Sequence, residues 1–186
     1  MSDVFILSGY ENIKFRQVCQ FDDKQLAILI RAALVEFGAD RPGFAWQDPE
    51  LDFMSQAFDV FGRIYYVAVE DEKVLGGGGI APLIGVDGTC ELQKMYFHPS
   101  ARRKGLGMQL MLKLFEYCLI MGYKRIYLET FTEMVDAQKL YRGLGFFEID
   151  APLGCTGHGG CDLWFLKELD ILQSDQPFDK EFKALS

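Results

Sequence analysis

The 186-residue chain lacks the features that mark membrane-spanning and nucleic-acid-binding proteins. Its apolar runs are short and broken by Lys, Glu or Gly, well below the ~20 residues that a membrane-spanning helix needs. Its 19 Lys and Arg are outnumbered by 27 Asp and Glu, which gives a net charge of −8. That charge disfavours partners bound through many contacts between basic side chains and phosphates. We therefore expect neither a nucleic-acid partner nor a membrane partner.

The chain also lacks the signs of an exported protein. Its N-terminus has neither the basic segment nor the full apolar segment of an export signal. The five cysteines are an odd, scattered set, so a disulfide framework is not expected. Both observations favour a reducing compartment, and we expect the protein to be cytoplasmic.

The overall composition is that of an ordinary globular protein, with 49% hydrophobic and 25% charged residues. The length suits one domain, because domains usually contain roughly 100–200 residues. We expect a single domain over residues 1–170 and a polar tail over residues 171–186.

The hydrophobic pattern switches repeatedly between the periods of strands and helices. It predicts strands at about residues 12–18, 63–70, 74–83, 89–97, 125–131, 146–149 and 162–169. It predicts helices at about residues 24–37, 48–61, 107–121 and 134–144. Hairpins come first and strand–helix–strand crossovers later, so the order predicts a mixed sheet with helices on its faces, in the α/β or α+β class.

The most specific local signal is a basic, glycine-containing loop at residues 102–107, which follows a strand and opens a helix. Free N–H groups at a helix N-terminus carry partial positive charge, and glycines let the backbone approach a phosphate. A solvated basic turn is the alternative interpretation. The loop is neither a Walker loop nor a dinucleotide fingerprint, since Leu110 occupies the position of the third glycine of the latter.

In the order of its motifs the chain resembles the GNAT superfamily of N-acetyltransferases. The R-x-x-G-x-G letters of residues 102–107 are similar to the family's acyl-CoA pyrophosphate motif. Residues 91–99 resemble its fourth strand, and residues 137–146 its last helix and the strand after it. The resemblance covers roughly residues 63–169. It implies a mixed, mostly antiparallel central sheet flanked by helices, acetyl-CoA as co-substrate, and acetyl transfer to a primary amine of a small molecule or peptide.

The resemblance also implies which residues bind the co-substrate. The backbone of the fourth-strand segment would bind the pantetheine arm, and the amides of the basic loop, with Arg102 and Lys104 as charge partners, would bind the pyrophosphate. The predicted cofactor-binding residues are Met95, Tyr96, Phe97, Arg102, Arg103, Lys104, Gly105, Leu106, Gly107 and Met108. The chain departs from the family at Met134, where an Asn often contacts the cofactor.

Glu91 and Tyr141 are the candidate catalytic residues. Glu91 precedes the pantetheine-binding segment on the central strand, where it could accept the proton of the amine directly or through a water. A carboxylate in a salt bridge at a strand end is the alternative. Tyr141 resembles the family tyrosine whose hydroxyl points at the cofactor sulfur, and a core aromatic residue is the alternative.

Four further residues are predicted to form the acceptor side: Phe44, Trp46, Gln93 and His158. For the two aromatic residues, ordinary partial burial is the alternative. His158 lies in a glycine-rich loop between Cys155 and Cys161, which offers three potential metal ligands where a structural zinc site normally has four. We therefore predict no metal.

Some features leave alternatives open. Gly76–Gly79 inside a predicted strand indicate either a close approach of backbone or ligand, or a flexible edge. The donor could be another acyl-CoA, and the acceptor could be other than an amine. A non-catalytic module that binds or senses acyl-CoA is the rival from a different functional class. A homodimer is compatible with this fold, and nothing in the sequence shows one.

Overall fold

The computed structural model describes residues 4–7, 10–157 and 159–169. The predicted tail at residues 171–186 and the predicted site residue His158 lie outside these described residues. The helices are α1 (Asp23–Glu36), α2 (Met54–Ala57), α3 (Leu106–Ile120) and α4 (Val135–Gly143). The strands are β1 (Phe5–Leu7), β2 (Tyr10–Gln17), β3 (Ile64–Glu70), β4 (Lys73–Pro82), β5 (Thr89–Phe97), β6 (Arg125–Thr130), β7 (Phe147–Ile149) and β8 (Leu163–Glu168).

The eight described strands form one sheet in the order β1-β2-β3-β4-β5-β6-β8-β7. Strands β5 and β6, which α3 connects, are parallel, and the other six described pairs are antiparallel. The predicted mixed, mostly antiparallel sheet flanked by helices is therefore confirmed. In the described part of the chain, no helix is long and apolar enough to cross a membrane.

The two faces of the sheet carry separate apolar clusters, as the two-residue period of β3 illustrates. Ile64, Tyr66 and Ala68 pack with the buried face of α3 and with α4. Tyr65 and Val67 point the other way and pack with α1. The helices thus cover both faces of the sheet, and β3 and β4 are buried along most of their length.

The central strand β5 contains a bulge beside the point where it leaves β6. On the β4 side, Gly77 pairs with Tyr96 and Gly79 with Gln93, so β5 contains one extra residue. Lys94 has a φ of 51° there, and its carbonyl accepts a 2.8 Å hydrogen bond from the Tyr65 hydroxyl. The bulge is held from within the core.

Strands β5 and β6 separate soon after they pair. Thr89–Glu91 lie opposite Arg125–Tyr127, and the register goes no further, although the strands continue to Phe97 and Thr130. The bulge and the separation together open a gap in the middle of the sheet. Backbone groups of β5 along this gap have no partner strand on the β6 side.

The glycine run of β4 resolves the alternatives left by the sequence. A Cβ on Gly77 would lie 2.4 Å from the carbonyl oxygen of Tyr66 and 2.7 Å from the ring of Tyr65. A Cβ on Gly79 would meet the Tyr65 ring at 2.6 Å. Because β4 lies between β3 and β5, the run is no flexible edge. The missing side chains leave room for the ring of Tyr65, which packs against the strand.

The predicted second helix over residues 48–61 is wrong. Residues Pro49–Phe53 form a 3₁₀ helix, and α2 contains only four residues. The carboxylate of Asp23 accepts hydrogen bonds from the backbone N–H of Ser55 at 2.7 Å and from its hydroxyl at 2.6 Å. This contact from α1 gives a partner to an N–H group in the first turn of α2, where the chain starts a separate short helix. The sequence analysis also missed β1, whose three residues are too few for a periodic signal.

Candidate active site

A groove of about 770 Å³ runs along the open side of β5, between the start of α3 and the start of α4. Its floor contains Met95, Tyr96 and Phe97, the predicted pantetheine-binding segment. The Phe97 carbonyl already accepts a 2.8 Å hydrogen bond from Nε of Arg102, so that oxygen is engaged. Its lining extends from the basic loop to Met95, Tyr96 and Tyr141 beside the gap between β5 and β6.

The basic loop and the first turn of α3 form one end of this groove. Gly105 precedes the helix with a φ of 75°, a conformation that favours glycine. The first N–H groups of a helix have no partner within it, so they are available to an anion. Predicted loop residues that line the groove are Arg102, Arg103, Gly105, Leu106, Gly107 and Met108.

Acidic neighbours partly balance the arginines of the loop. Arg102 forms a two-pronged ion pair with Glu36, at 2.6 and 2.7 Å. Arg103 contacts Asp136 at 3.3 Å, and both side chains are exposed. An exposed pair of this kind contributes little to stability, so Arg103 can readily exchange its partner for a phosphate. Lys104 is exposed and lines neither the groove nor the pocket described next.

A second, smaller pocket of about 80 Å³ occupies the gap between the separated strands. Its polar lining comes from Glu91, Gln93 and Lys94 on β5 and from Glu129 and Thr130 on β6. Its apolar lining includes Leu34, Phe44, Leu128 and Phe131. The pocket is about one tenth of the volume of the groove, so it suits the reacting end of a molecule and not a large ligand.

Four residues line both cavities: Met95, Tyr96, Met134 and Tyr141. Tyr141 comes from α4, and only 6% of its surface is exposed. Burial, with a smaller contribution from nearby Cys161, raises the pKa of the Tyr141 phenol above its ordinary value of 10.0. Burial likewise raises the pKa of Tyr96, with a smaller contribution from Tyr141. Two protonated phenols therefore stand where the groove meets the pocket.

Glu91 lies at the pocket, on the last residue of β5 that still pairs with β6. Its carboxylate is buried, and Oε2 accepts a 2.7 Å hydrogen bond from Nε2 of Gln93. The structure thus brings Glu91 and Gln93, which were both predicted as site residues, into one site with Tyr141.

Lys94 is a buried cation beside the pocket, but its charge is already balanced. Its ammonium group pairs with Asp48 at 3.1 Å and with Glu50. These partners lie at the start of the 3₁₀ segment that leads to α2. The ion pairs therefore attach residues 48–50, which precede α2, to the bulge of β5.

The loop between β7 and β8 packs against the segment that follows α1, at the edge of the pocket. The Gly160 N–H donates a 2.9 Å hydrogen bond to the Gly43 carbonyl, and the Phe44 ring packs so closely that a Cβ on Gly160 would lie 2.5 Å from it. Cys161 lines the pocket, whereas Cys155 is exposed. In the described part of the chain, no three His, Cys, Asp or Glu are grouped to hold a metal ion; because His158 is not described, the absence of zinc stays a prediction.

The structure brings most, but not all, of the predicted acceptor residues together. Phe44 and Gln93 line the pocket. Trp46 lines neither cavity and packs against the apolar cluster that contains α1, as the alternative interpretation had it. His158 lies outside the described residues.

Two pocket residues, Glu129 and Thr130, were missed by the sequence analysis. They end β6, the strand parallel to β5. A signal was present, because the carboxyl ends of neighbouring parallel strands meet at one edge of a sheet, and these two polar residues follow the apolar run of β6. This signal identifies Glu129 and Thr130 only once β5 and β6 are known to be neighbours in the sheet.

Comparison with known sequences agrees with this geometry. The profile of the Acetyltransferase (GNAT) family matches residues 31–146, which is more than half of the chain. The chain belongs to the GNAT acetyltransferase family. It is 45% identical over 157 residues to the uncharacterized N-acetyltransferase YjgM of Escherichia coli K12, a match that covers 83% of this chain and 93% of that protein. The predicted family and the predicted enzyme class are confirmed.

Solved structures of GNAT proteins share the fold. A GNAT-family acetyltransferase from Staphylococcus aureus Mu50 superimposes with a TM-score of 0.75 at 20% identity, covering 85% of this chain and 99% of that one. The YncA protein of Salmonella typhimurium, a putative acetyltransferase solved with its cofactor acetyl-CoA, has a TM-score of 0.68 at 20% identity and covers 86% and 95%.

Proposed function

We propose that this GNAT protein transfers the acetyl group of acetyl-CoA to a primary amine, with acetyl-CoA in the groove and the amine in the small pocket. The observation that carries this proposal is that the groove and the pocket share part of their lining. Tyr141 lines both cavities, and Glu91 lies in the pocket behind it. A thioester at the junction would therefore meet an amine from the pocket, as direct transfer between two bound substrates requires.

The residues of the groove suit coenzyme A. The free amides at the start of α3 and the exposed Arg103 can bind a pyrophosphate, and the unpaired edge of β5 can bind an extended pantetheine arm as an added strand. All predicted cofactor-binding residues except Lys104 line this groove. Lys104 would act only as a nearby positive charge.

Glu91 would act as the general base. The amine arrives as an ammonium group and must lose one proton before its lone pair can attack the thioester carbon. Glu91 takes this proton directly or through a water. The C–N bond then forms, the C–S bond breaks, and the second proton of the amine passes to the departing sulfur to complete the thiol.

Tyr141 would stabilise the sulfur as negative charge develops there. A thiol such as that of CoA has a pKa near the ~8.5 of cysteine. Because burial raises the pKa of the Tyr141 phenol above 10.0, complete proton transfer from tyrosine to thiolate is uphill. The phenol therefore serves as a hydrogen-bond donor that keeps its proton.

We also propose that the protein is cytoplasmic and that residues 1–170 form one domain. All five cysteines are free thiols, which supports a reducing cytoplasm. One domain over residues 1–170 is supported by the single sheet that the described strands form. A homodimer remains an expectation.

Release of CoA thiol from acetyl-CoA tests the proposed function, with pooled amino acids, polyamines, aminoglycosides and peptides as acceptors. We expect thiol release that depends on both the acceptor and Glu91. Acetyl-CoA binding without release in any pool would favour the non-catalytic acyl-CoA-binding alternative. Preference for a longer acyl-CoA would instead mean a different acyl donor, and acetylation of a hydroxyl group would mean a different class of acceptor.

A further inference from the structure

The small pocket has an excess of negative charge. Its described charged residues are Glu91, Glu129 and Lys94, and Lys94 is already paired with Asp48 and Glu50. The ammonium group of Lys94 is therefore not available to hold a carboxylate of an acceptor. An anionic acceptor would meet two carboxylates and no available cation among the lining residues that the structure describes.

Glu129 is held in place by neutral groups. Oε1 accepts a 2.7 Å hydrogen bond from the Tyr127 hydroxyl, and Oε2 accepts a 3.1 Å hydrogen bond from the Thr156 hydroxyl. None of the ion pairs between described residues includes Glu129. The carboxylate is thus oriented at the pocket while its charge has no described cationic partner.

Thr130 provides an independent indication of a polar occupant. The residue is 3% exposed and lines the pocket, and its hydroxyl oxygen has no hydrogen-bond partner among the described residues. Buried polar atoms without a partner are uncommon in folded proteins. A hydroxyl oxygen readily accepts a hydrogen bond from an ammonium group, which has only donors.

The negative charge of the carboxylates also acts on a thiol that lines the pocket. The pKa of the Cys161 thiol is raised to about 12, first by burial and then by the charges of Glu129, Asp162 and Glu91. These carboxylates therefore act on the same small volume. Their charge favours any cation that enters.

Charge balance during the reaction separates the roles of the two pocket carboxylates. When Glu91 accepts the proton of the attacking amine, both groups become neutral. Glu129 then stays negative beside a neutral amide product, half-buried. A second cationic group on the acceptor would balance this charge before, during and after transfer.

We propose that the pocket selects small acceptors that carry a cationic group in addition to the amine that is acetylated, with Glu129 as the residue that binds this group. Thr130, whose side chain leaves β6 on the opposite face, is a separate hydrogen-bond acceptor in the same pocket. Short diamines have this chemistry. The inference rests on the proposed function and adds the class of its acceptor.

The test compares straight-chain α,ω-diaminoalkanes of three to five carbons with the n-alkylamines of the same length. We expect at least about a 10-fold higher kcat/KM for the best diamine. Glu129→Gln should lower the diamine value about 10- to 100-fold, the range for loss of one charge-assisted hydrogen bond, and should affect the monoamine by less than about 3-fold. Thr130→Val should lower the diamine value by a smaller factor.

Glu168→Gln is the matched control, because Glu168 is an exposed carboxylate at the opposite end of the neighbouring strand β8. It should leave both values unchanged. Equal rates for diamines and monoamines, a preference for amino acids with a free carboxylate, or an equal loss for both acceptors in Glu129→Gln would each overturn the inference.

Calorimetry separates failure of this inference from failure of the proposed function. Each diamine is titrated into the wild-type protein saturated with CoA, and into the Glu129→Gln protein. Diamine binding that needs Glu129 would support the pocket's selectivity even if no acetyl transfer were detected, and the proposed function alone would then fail. Acetylation of other amines with no diamine binding would overturn the selectivity and leave the proposed function intact.

Discussion

Gln93 donates a 2.7 Å hydrogen bond from Nε2 to Oε2 of Glu91, across one side of β5. The two residues lie two positions apart on a strand, so their side chains project from the same face. The amide fixes the orientation of the carboxylate at the point where β5 separates from β6. Glu91 is therefore held ready in the pocket by its own strand.

Replacement of Glu91 by Gln should slow acetyl transfer by roughly 10²- to 10⁴-fold at neutral pH, because the shape is retained and the proton acceptor is lost. The affinity for CoA should change little, since Glu91 lines the pocket and not the groove. Steady-state rates and CoA titrations measure the two effects. Glu116→Gln, an exposed position on α3, is the control and should behave as wild type. An unchanged rate at and below neutral pH would remove Glu91 from the mechanism.

Replacement of Tyr141 by Phe should slow the chemical step about 10- to 10³-fold, the scale for loss of one donor to a developing negative charge. The ring contacts with Phe146 and Phe165, at centroid distances of 5.9 and 6.2 Å, do not need the hydroxyl and should persist. Single-turnover transfer and the melting temperature are measured together. Tyr117→Phe removes a hydroxyl that donates a 3.0 Å hydrogen bond to the Arg63 carbonyl, and it is the control for a simple loss of stability. A lower melting temperature with an unchanged transfer rate would mean that Tyr141 is only a core aromatic residue.

The raised pKa of Tyr141 leads to a prediction for pH dependence. The protonated phenol is the active form. Because burial raises the pKa of this phenol above its ordinary value of 10.0, the proton is lost only at higher pH. The single-turnover rate should therefore not decline as the pH rises from 8 to 10. A decline with an apparent pKa near 10 that disappears in Tyr141→Phe would contradict the placement of this phenol in a buried wall.

Coenzyme binding should depend on the two glycines at the start of α3. Gly105 has a φ of 75°, and a Cβ on Gly107 would lie 3.0 Å from Leu140 and 3.2 Å from Met95. The double replacement by Val should abolish the rise in melting temperature that acetyl-CoA produces. Gly143→Ala is the matched control, because nothing lies within 4 Å of its Cβ position. If the double variant bound acetyl-CoA as tightly as wild type, the pyrophosphate site would lie elsewhere.

The sequence was informative where short-range patterns decide the structure. The basic loop and α3 follow each other in the chain, and the face of α3 that packs on the sheet is apolar, so their juxtaposition could be predicted. The interrupted second helix could not, because the separate start of α2 contacts Asp23 in another helix. Glu129 entered the site only through the pairing of β5 with β6. Contacts between residues distant in sequence thus set the parts of the site that the sequence analysis missed.

Cys161 offers a chemical test of the pocket's interior. Its thiol has a pKa of about 12, because burial and nearby carboxylates disfavour the thiolate. At pH 8 the reactive thiolate is then on the order of 10⁻⁴ of the thiol, compared with roughly 0.2 for a thiol of pKa ~8.5. Iodoacetamide should therefore label Cys161 on the order of 10³-fold more slowly than an ordinary exposed thiol. Exposed Cys155, in the same loop, provides the internal comparison.

Mass spectrometry of each labelled peptide measures the two rates separately. Raising the pH from 8 to 10 should increase labelling of Cys161 about 10-fold per unit, because its thiol remains far below half ionisation throughout. Glu129→Gln should increase the rate moderately, since burial remains and one of the charges is lost. Denatured protein should show similar rates for both cysteines. Labelling of Cys161 as fast as Cys155 in folded protein at pH 8 would mean that the loop does not bury the Cys161 thiol, and the enclosed acceptor site would have to be abandoned.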